Sequence, residues 1–220
     1  VSVSVQYWNG SAWTSATSVT GAVGSVAVGT GKSATWNAKL DFDGQYRTDM
    51  KIKVIADDGQ ASNNLGSGDS AAFTLDTKAP AGGGLNTPTD GQTSVSLSPT
   101  LSVVAASDDS PPVSYGFTLA RDSGFTSGVQ NSGWQAATTW RPATLTANTG
   151  YWWKASAKDS FGNVVAYWAR QFTTGAFTSA TVGLVSGLNL VSLPLQPSTA
   201  YTSQTLLAEI NAQGGSAQQL

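Results

Sequence analysis

The chain has 220 residues, 40% of them hydrophobic, with eight Trp, no Cys, no His and a formal charge of −2. Without His or Cys there can be no Ser-His-Asp triad, no Cys-His pair, no thiolate or disulfide chemistry and no His-based zinc site. The eleven Lys and Arg are spread singly, so no basic stripe faces nucleic acid, and no apolar run approaches the ~20 residues of a membrane-spanning helix.

Twelve of the thirteen acidic residues are Asp and one is Glu209. Asp favours turns where Glu favours helices, so the imbalance predicts strands joined by tight loops, with little helix before residue 200. The length suits two sandwich modules of roughly 80–100 residues plus a remainder. Residues 1–7 alternate apolar and polar with period two, the mark of a half-buried strand. Asn9-Gly10 then predicts a hairpin with a type I′ turn. Residues 34–37 read as a strand, and residues 50–57 as the longest one, its inward face Met50, Ile52, Val54 and Ala56. After the Asp58-Gly59 turn, residues 70–75 close the first module, and Pro80 with Gly82-Gly83-Gly84 reads as a linker.

Beyond the linker, strands are expected at 101–104 and 115–120, where Tyr115, Phe117 and Leu119 share a face, and at 151–157. A closing strand runs through Trp168 to Thr174. The modules rhyme: each has a long strand ending near Ala and Asp, an Asp/Gly turn, and a strand ending Phe-Thr. Residues 185–195 read as a further strand, and Leu206, Leu207 and Ile210 have helical spacing between a Thr202 or Ser203 cap and Gly214-Gly215.

Residues 145–151, Leu-Thr-Ala-Asn-Thr-Gly-Tyr, resemble the tyrosine corner of fibronectin type III domains, with Ala147 where Pro is usual. That resemblance covers roughly residues 85–174. It implies a Tyr151 hydroxyl bonded to backbone a few residues upstream. The first module, with its Gln6-Tyr7 strand, Gly hairpin, Ala56-Asp57-Asp58-Gly59 turn and Phe-Thr-Leu-Asp-Thr end, resembles a repeat of bacterial surface proteins in which further strands come first. The segment from Gly187 to Pro194 resembles the opening of a small module found near the ends of exported bacterial proteins.

The expected architecture is therefore all-β, tandem immunoglobulin/fibronectin type III-like sandwiches with a short helix-bearing C-terminal segment. The expected modules are 1–79, lacking its N-terminal strands, 80–175, and 176–220, an incomplete third. The expected function is non-catalytic: an extracellular or cell-surface spacer, stalk or adhesion array of a bacterial protein, partnered by neighbouring modules or other copies of the chain. Two alternatives stand beside it. One is a carbohydrate-binding accessory region of a secreted hydrolase, with Trp152, Trp134 and Trp8 as exposed platforms for polysaccharide. The other is a filament subunit completed by strand exchange. No cofactor is expected except calcium, for which Asp57, Asp58, Asp108 and Asp109 offer oxygen ligands, as does Asp41-Phe42-Asp43-Gly44; the twelve-residue calcium loop with its terminal Glu is absent. Asp beside Gly also serves simply as a turn residue. Asn9-Gly10-Ser11 fits a glycosylation sequon at a hairpin tip.

Overall fold

The computed structural model describes residues 1–176, and within them the chain is all-β. The helix expected after residue 202 and all but the first residue of the expected third module lie outside the described residues. The first nine strands are β1 (Ser2–Trp8), β2 (Trp13–Ser15), β3 (Val19–Gly21), β4 (Gly24–Ser25), β5 (Ala34–Trp36), β6 (Tyr46–Met50), β7 (Ile52–Asp57), β8 (Leu65–Asp69) and β9 (Phe73–Asp76). A four-residue helix, α1 (Ala38–Asp41), interrupts them. The next nine are β10 (Ala81–Thr87), β11 (Gln92–Val95), β12 (Leu101–Ser107), β13 (Ser114–Ala120), β14 (Gln130–Gln135), β15 (Thr139–Trp140), β16 (Gly150–Lys158), β17 (Val164–Ala166) and β18 (Arg170–Thr174). Every strand pair joins two of the first nine or two of the last nine.

The second set forms two sheets, β10-β12-β15 and β11-β18-β16-β13-β14, with β17 beside β16. Pairing is antiparallel except between β11 and β18, which run parallel with Gln92 opposite Phe172 and Val95 opposite Thr174. Period-two patterning fixes the faces. Tyr151, Trp153, Ala155 and Ala157 of β16 are buried with Tyr115, Phe117 and Leu119 of β13, while Trp152, Lys154 and Ser156 point the other way. Trp153 is 0% exposed, and its Nε1 is buried without a hydrogen-bond partner. That orphan costs about 1–3 kcal/mol, which the ring's large buried area outweighs. At the corner before β16 the Thr146 N–H donates to the Tyr151 hydroxyl at 3.0 Å, the Tyr151 ring stacks on Phe172 at 5.8 Å, and Leu145 is buried beneath. The contact expected of the Leu145–Tyr151 spacing is present.

The first set is thinner. Its sheets are β2-β1-β7-β8, with β4 also on β1, and the pairs β3-β5 and β6-β9. Tyr7 stacks on Trp36 at 4.9 Å and meets the edge of Phe42 at 5.6 Å. Met50 is wholly buried, but Val54 is 44% exposed and Ile52 and Trp36 are only half-buried. Val54 lines an apolar groove with Val1, Val3, Val5 and Val26.

Four expectations change. The strand expected at 50–57 is two: the chain leaves the β6-β9 pair at Met50 and enters the larger sheet at Ile52, so the supposed single face serves two sheets. The Asn9-Gly10 hairpin exists, but its loop spans Asn9 to Ala12. Gly10 takes φ +99°, while the Asn9 side chain accepts from the Ser11 and Ala12 N–H groups at 2.9 Å, a side-chain-built turn in place of type I′. The supposed glycine linker is β10, paired to β12 through Gly82 and Gly84. Glycine is required there: Gly83 has φ +75°, and a Cβ would collide with the Tyr167 hydroxyl and come within 3.0 Å of the Val104 carbonyl. Finally, Trp168 precedes the closing strand and stands 94% exposed.

Candidate functional site

The acidic residues singled out by sequence separate into turns and a cluster. Asp57 accepts from the Gly59 N–H at 2.8 Å and the Asn64 amide at 3.1 Å, and Asp58 accepts from the Gln60 N–H at 3.0 Å. Both shape the β7–β8 turn, and neither joins a group of three acids among the described residues. Asp41 is saturated. Its carboxylate accepts from Thr17 N–H and Oγ1 at 2.8 and 2.5 Å, Ser18 N–H and Oγ at 3.0 and 2.9 Å, and Trp36 Nε1 at 2.8 Å. Partial burial pushes its pKa up, but these donors outweigh that and hold it well below the usual carboxylate range. With its lone pairs so occupied, Asp41 is a structural knot tying β3 and β5 to α1, and a cation would have to displace donors to reach it.

Asp108 behaves differently. It sits in the β12–β13 loop, within reach of Asp76 at the end of β9 and Asp159 in the β16–β17 turn; one oxygen from each lies within 4.8 Å of the others. Asp76 and Asp159 are 7% and 4% exposed. Asp76 accepts from the Lys78 N–H at 2.8 Å and, through a short bond, from the Ser110 hydroxyl. Asp159 accepts from the N–H groups of Phe161 and Asn163 at 2.8 and 2.9 Å and from the Asn163 amide at 2.8 Å. Asp108 Oδ1 accepts from the Ser110 N–H at 2.8 Å, whereas its Oδ2 is buried and has no partner. Burial pushes the Asp108 pKa up against the pull of that N–H, and the carboxylates of Asp76, Asp159 and Asp109 push the same way. Asp109 instead faces outward in an ion pair with Lys78 at 2.8 Å.

This cluster lies where the two sets of strands meet. Asn163, from the second, also donates to the Asp76 carbonyl of the first at 3.1 Å, and the Ser110 to Asp76 bond and the Lys78 to Asp109 pair cross the same boundary. Only residues 77–80 separate β9 from β10, and Thr77 and Pro80 are buried. Sequence reasoning saw Asp108 but not Asp76 or Asp159. The signal available was the repeated Asp after Phe-Thr-Leu and before Ser-Phe-Gly-Asn, which resembles ordinary turn chemistry.

The aromatic candidates are dispersed. Trp8 is half-buried on β1 against Trp13, edge to face at 5.7 Å, and Lys53 Nζ lies 4.2 Å from the Trp13 ring. Trp134 is 47% exposed on β14, with Lys158 Nζ 4.4 Å above its ring. Trp152 points outward from β16 but is half-buried, and its neighbour Lys154 covers Phe125 at 4.1 Å. Lysines thus cap the Trp13, Phe125 and Trp134 rings. Trp168, beside Tyr167, Arg170, Asp90 and Leu85 in an open cleft, is the most exposed aromatic of the described residues.

No protein-family model matches the chain, and no curated protein does. Parts of the chain are similar to parts of two solved enzymes. One is the Streptomyces avermitilis alpha-L-rhamnosidase complexed with L-rhamnose, at 16% identity over 44% of this chain and 10% of that one, TM-score 0.35. The other is the beta-1,2-glucanase from Parabacteroides distasonis, at 17% identity over 55% and 17% of the two chains, TM-score 0.31. This chain spans a small fraction of the length of either enzyme.

Proposed function

We propose that the chain is a non-catalytic spacer or adhesion segment of a bacterial extracellular or cell-surface protein, made of immunoglobulin/fibronectin type III-like modules in tandem. One observation carries this reading: the boundary between the two sets of strands is pinned. Side-chain bonds from Ser110 and Asn163 hold Asp76, and the connecting residues leave no free linker. Modules fixed to one another transmit position from one end of an array to the other, which a glycine tether would not do. The composition agrees, because a chain with no His and no Cys can build no Ser-His-Asp triad, Cys-His pair or thiolate nucleophile.

The test uses the absence of native Cys. Nitroxide labels on Ser62→Cys and Ser123→Cys, both exposed, report the distance between the two sets of strands by pulsed electron resonance. One narrow distance population is expected, broadened by Asn163→Ala. A broad distribution in the parent chain would refute a fixed boundary. Turnover on a glycan or ester panel that disappeared on substituting a single Asp would refute the non-catalytic part.

A second reading, a carbohydrate-binding accessory region, is favoured by Trp168, whose indole is free to stack on a sugar ring beside Arg170 and Asp90. It predicts glycan-array binding by the full chain that Trp168→Ala abolishes. Binding that survives this substitution removes the assignment.

A further inference from the structure

We propose that Asp76, Asp108 and Asp159 bind a calcium ion at the boundary between the two sets of strands. Two observations of different kinds meet here. The first is the geometry: three carboxylates from three separate chain segments each present an oxygen within 4.8 Å of the others. Oxygens at about 2.3–2.6 Å from one calcium ion stand at most about 4.6–5.2 Å apart, and three spaced evenly around it about 4.0–4.5 Å, so three oxygens within 4.8 Å of one another need only a small side-chain adjustment to share one ion. The second is the orphan: Asp108 Oδ2 is buried and accepts no hydrogen bond. A buried, unpartnered carboxylate oxygen is among the most costly polar groups a fold can hold, and a cation among these three acids satisfies it directly.

The donor set selects the ion. All three ligands are hard carboxylate oxygens, and the chain holds no His or Cys to favour zinc or copper. Magnesium demands a near-ideal octahedron with oxygens at most about 4.2 Å apart and gives up its water reluctantly, whereas calcium tolerates an irregular shell. The Lys78 ammonium is committed to Asp109 on the outer side. Asp76 and Asp159 are already aimed by the N–H groups of Lys78, Phe161 and Asn163, so the ion would meet oriented ligands. Of the acids flagged in the sequence, only Asp108 belongs to this set; Asp57, Asp58 and Asp109 are spent on turns and an ion pair. The assignment stands on this geometry whether or not the spacer reading holds.

The experiment is calorimetric titration of the full chain, stripped with chelator, with calcium chloride and in parallel with magnesium chloride, together with thermal melts. Calcium is expected to bind and, at millimolar concentration, to raise the melting temperature by about 5 °C, a shift reversed by chelator. Magnesium at equal concentration is expected to give less than half of it. Asp108→Asn should fold, since it keeps an oxygen for the Ser110 N–H, and should lose the calcium shift. Asp57→Asn, a turn acid outside the cluster, should keep it. No heat and no melting shift in the parent chain up to about 10 mM calcium would overturn the proposal, whatever the variants do. So would an unchanged calcium shift in Asp108→Asn, or a response to magnesium equal to that to calcium.

Discussion

Replacing Asp41 by Ala removes the acceptor of five hydrogen bonds in one step. Summed at the about 1.5–3 kcal/mol of a bond to a charged group, they would exceed the stability of a typical domain, so the sum is not the answer. The two from Thr17 are exposed, and water replaces the carboxylate there at little cost. The three from Ser18 N–H, Ser18 Oγ and Trp36 Nε1 are part-buried. At about 1 kcal/mol each they set an expected loss of about 3 kcal/mol at pH 7. Urea unfolding of the two proteins reads this difference, and amide exchange locates it: Ser18 and Asn37 should lose protection while Phe117 does not. The pH dependence has a fixed direction. Asp41 is held below its unfolded value of about 3.9, so its contribution is present above roughly pH 4 and is lost as pH falls through the folded value. The gap between parent and Asp41→Ala should therefore be widest at neutral pH and close on acidification. A gap under about 1 kcal/mol at pH 7, or one unchanged down to pH 2.5, would refute the reasoning.

Tyr151→Phe leaves the Thr146 N–H without its acceptor and should cost about 1–2 kcal/mol in chemical denaturation; an unchanged midpoint would mean that the corner contributes nothing. Gly83→Ala forces a side chain into a positive-φ position against Tyr167 and the Val104 carbonyl, and should cost about 2 kcal/mol or more, read as a lower melting temperature; a neutral effect would place β10 differently. Trp153→Ala empties the centre of the larger core and should cost about 3–5 kcal/mol, with loss of near-ultraviolet dichroism; a loss under about 1 kcal/mol would contradict its complete burial.

Where one face of a strand is buried and the other wet, alternation writes the structure into the residues, so β13, β16 and the Tyr151 corner were readable in advance. Where that contrast is missing, so is the signal. Leu65–Asp69 pairs with β7 along its whole length, yet every residue in it is exposed, and its Gly and Ser content reads as loop. β10 was hidden for a related reason: Gly83 is demanded by close approach to Tyr167 and Val104, a long-range fact that local composition presents as slack. The switch between sheets at Lys51 kept the period of two unbroken across two different pairings. Among the acids, Asp41 and Asp108 looked alike beside their turns. Which one would be saturated with donors and which left with a bare oxygen depended on loops far away in the chain.

The parallel pairing of β11 with β18 matters when the chain is under tension. Tension that reaches β11 from its N-terminal side and β18 from its C-terminal side draws Gln92 and Thr174 apart along the strand direction, because neighbouring strands that run the same way are pulled lengthwise past each other. The bonds along that seam, including Gly91 N–H to the Gln171 carbonyl, Gly175 N–H to the Val95 carbonyl and Gln171 N–H to Asp90, then carry the load together instead of opening one after another. Under the spacer reading proposed above, the resistance of this set of strands to such a pull is set by a short ladder between β11 and β18 and not by how much apolar surface its core buries.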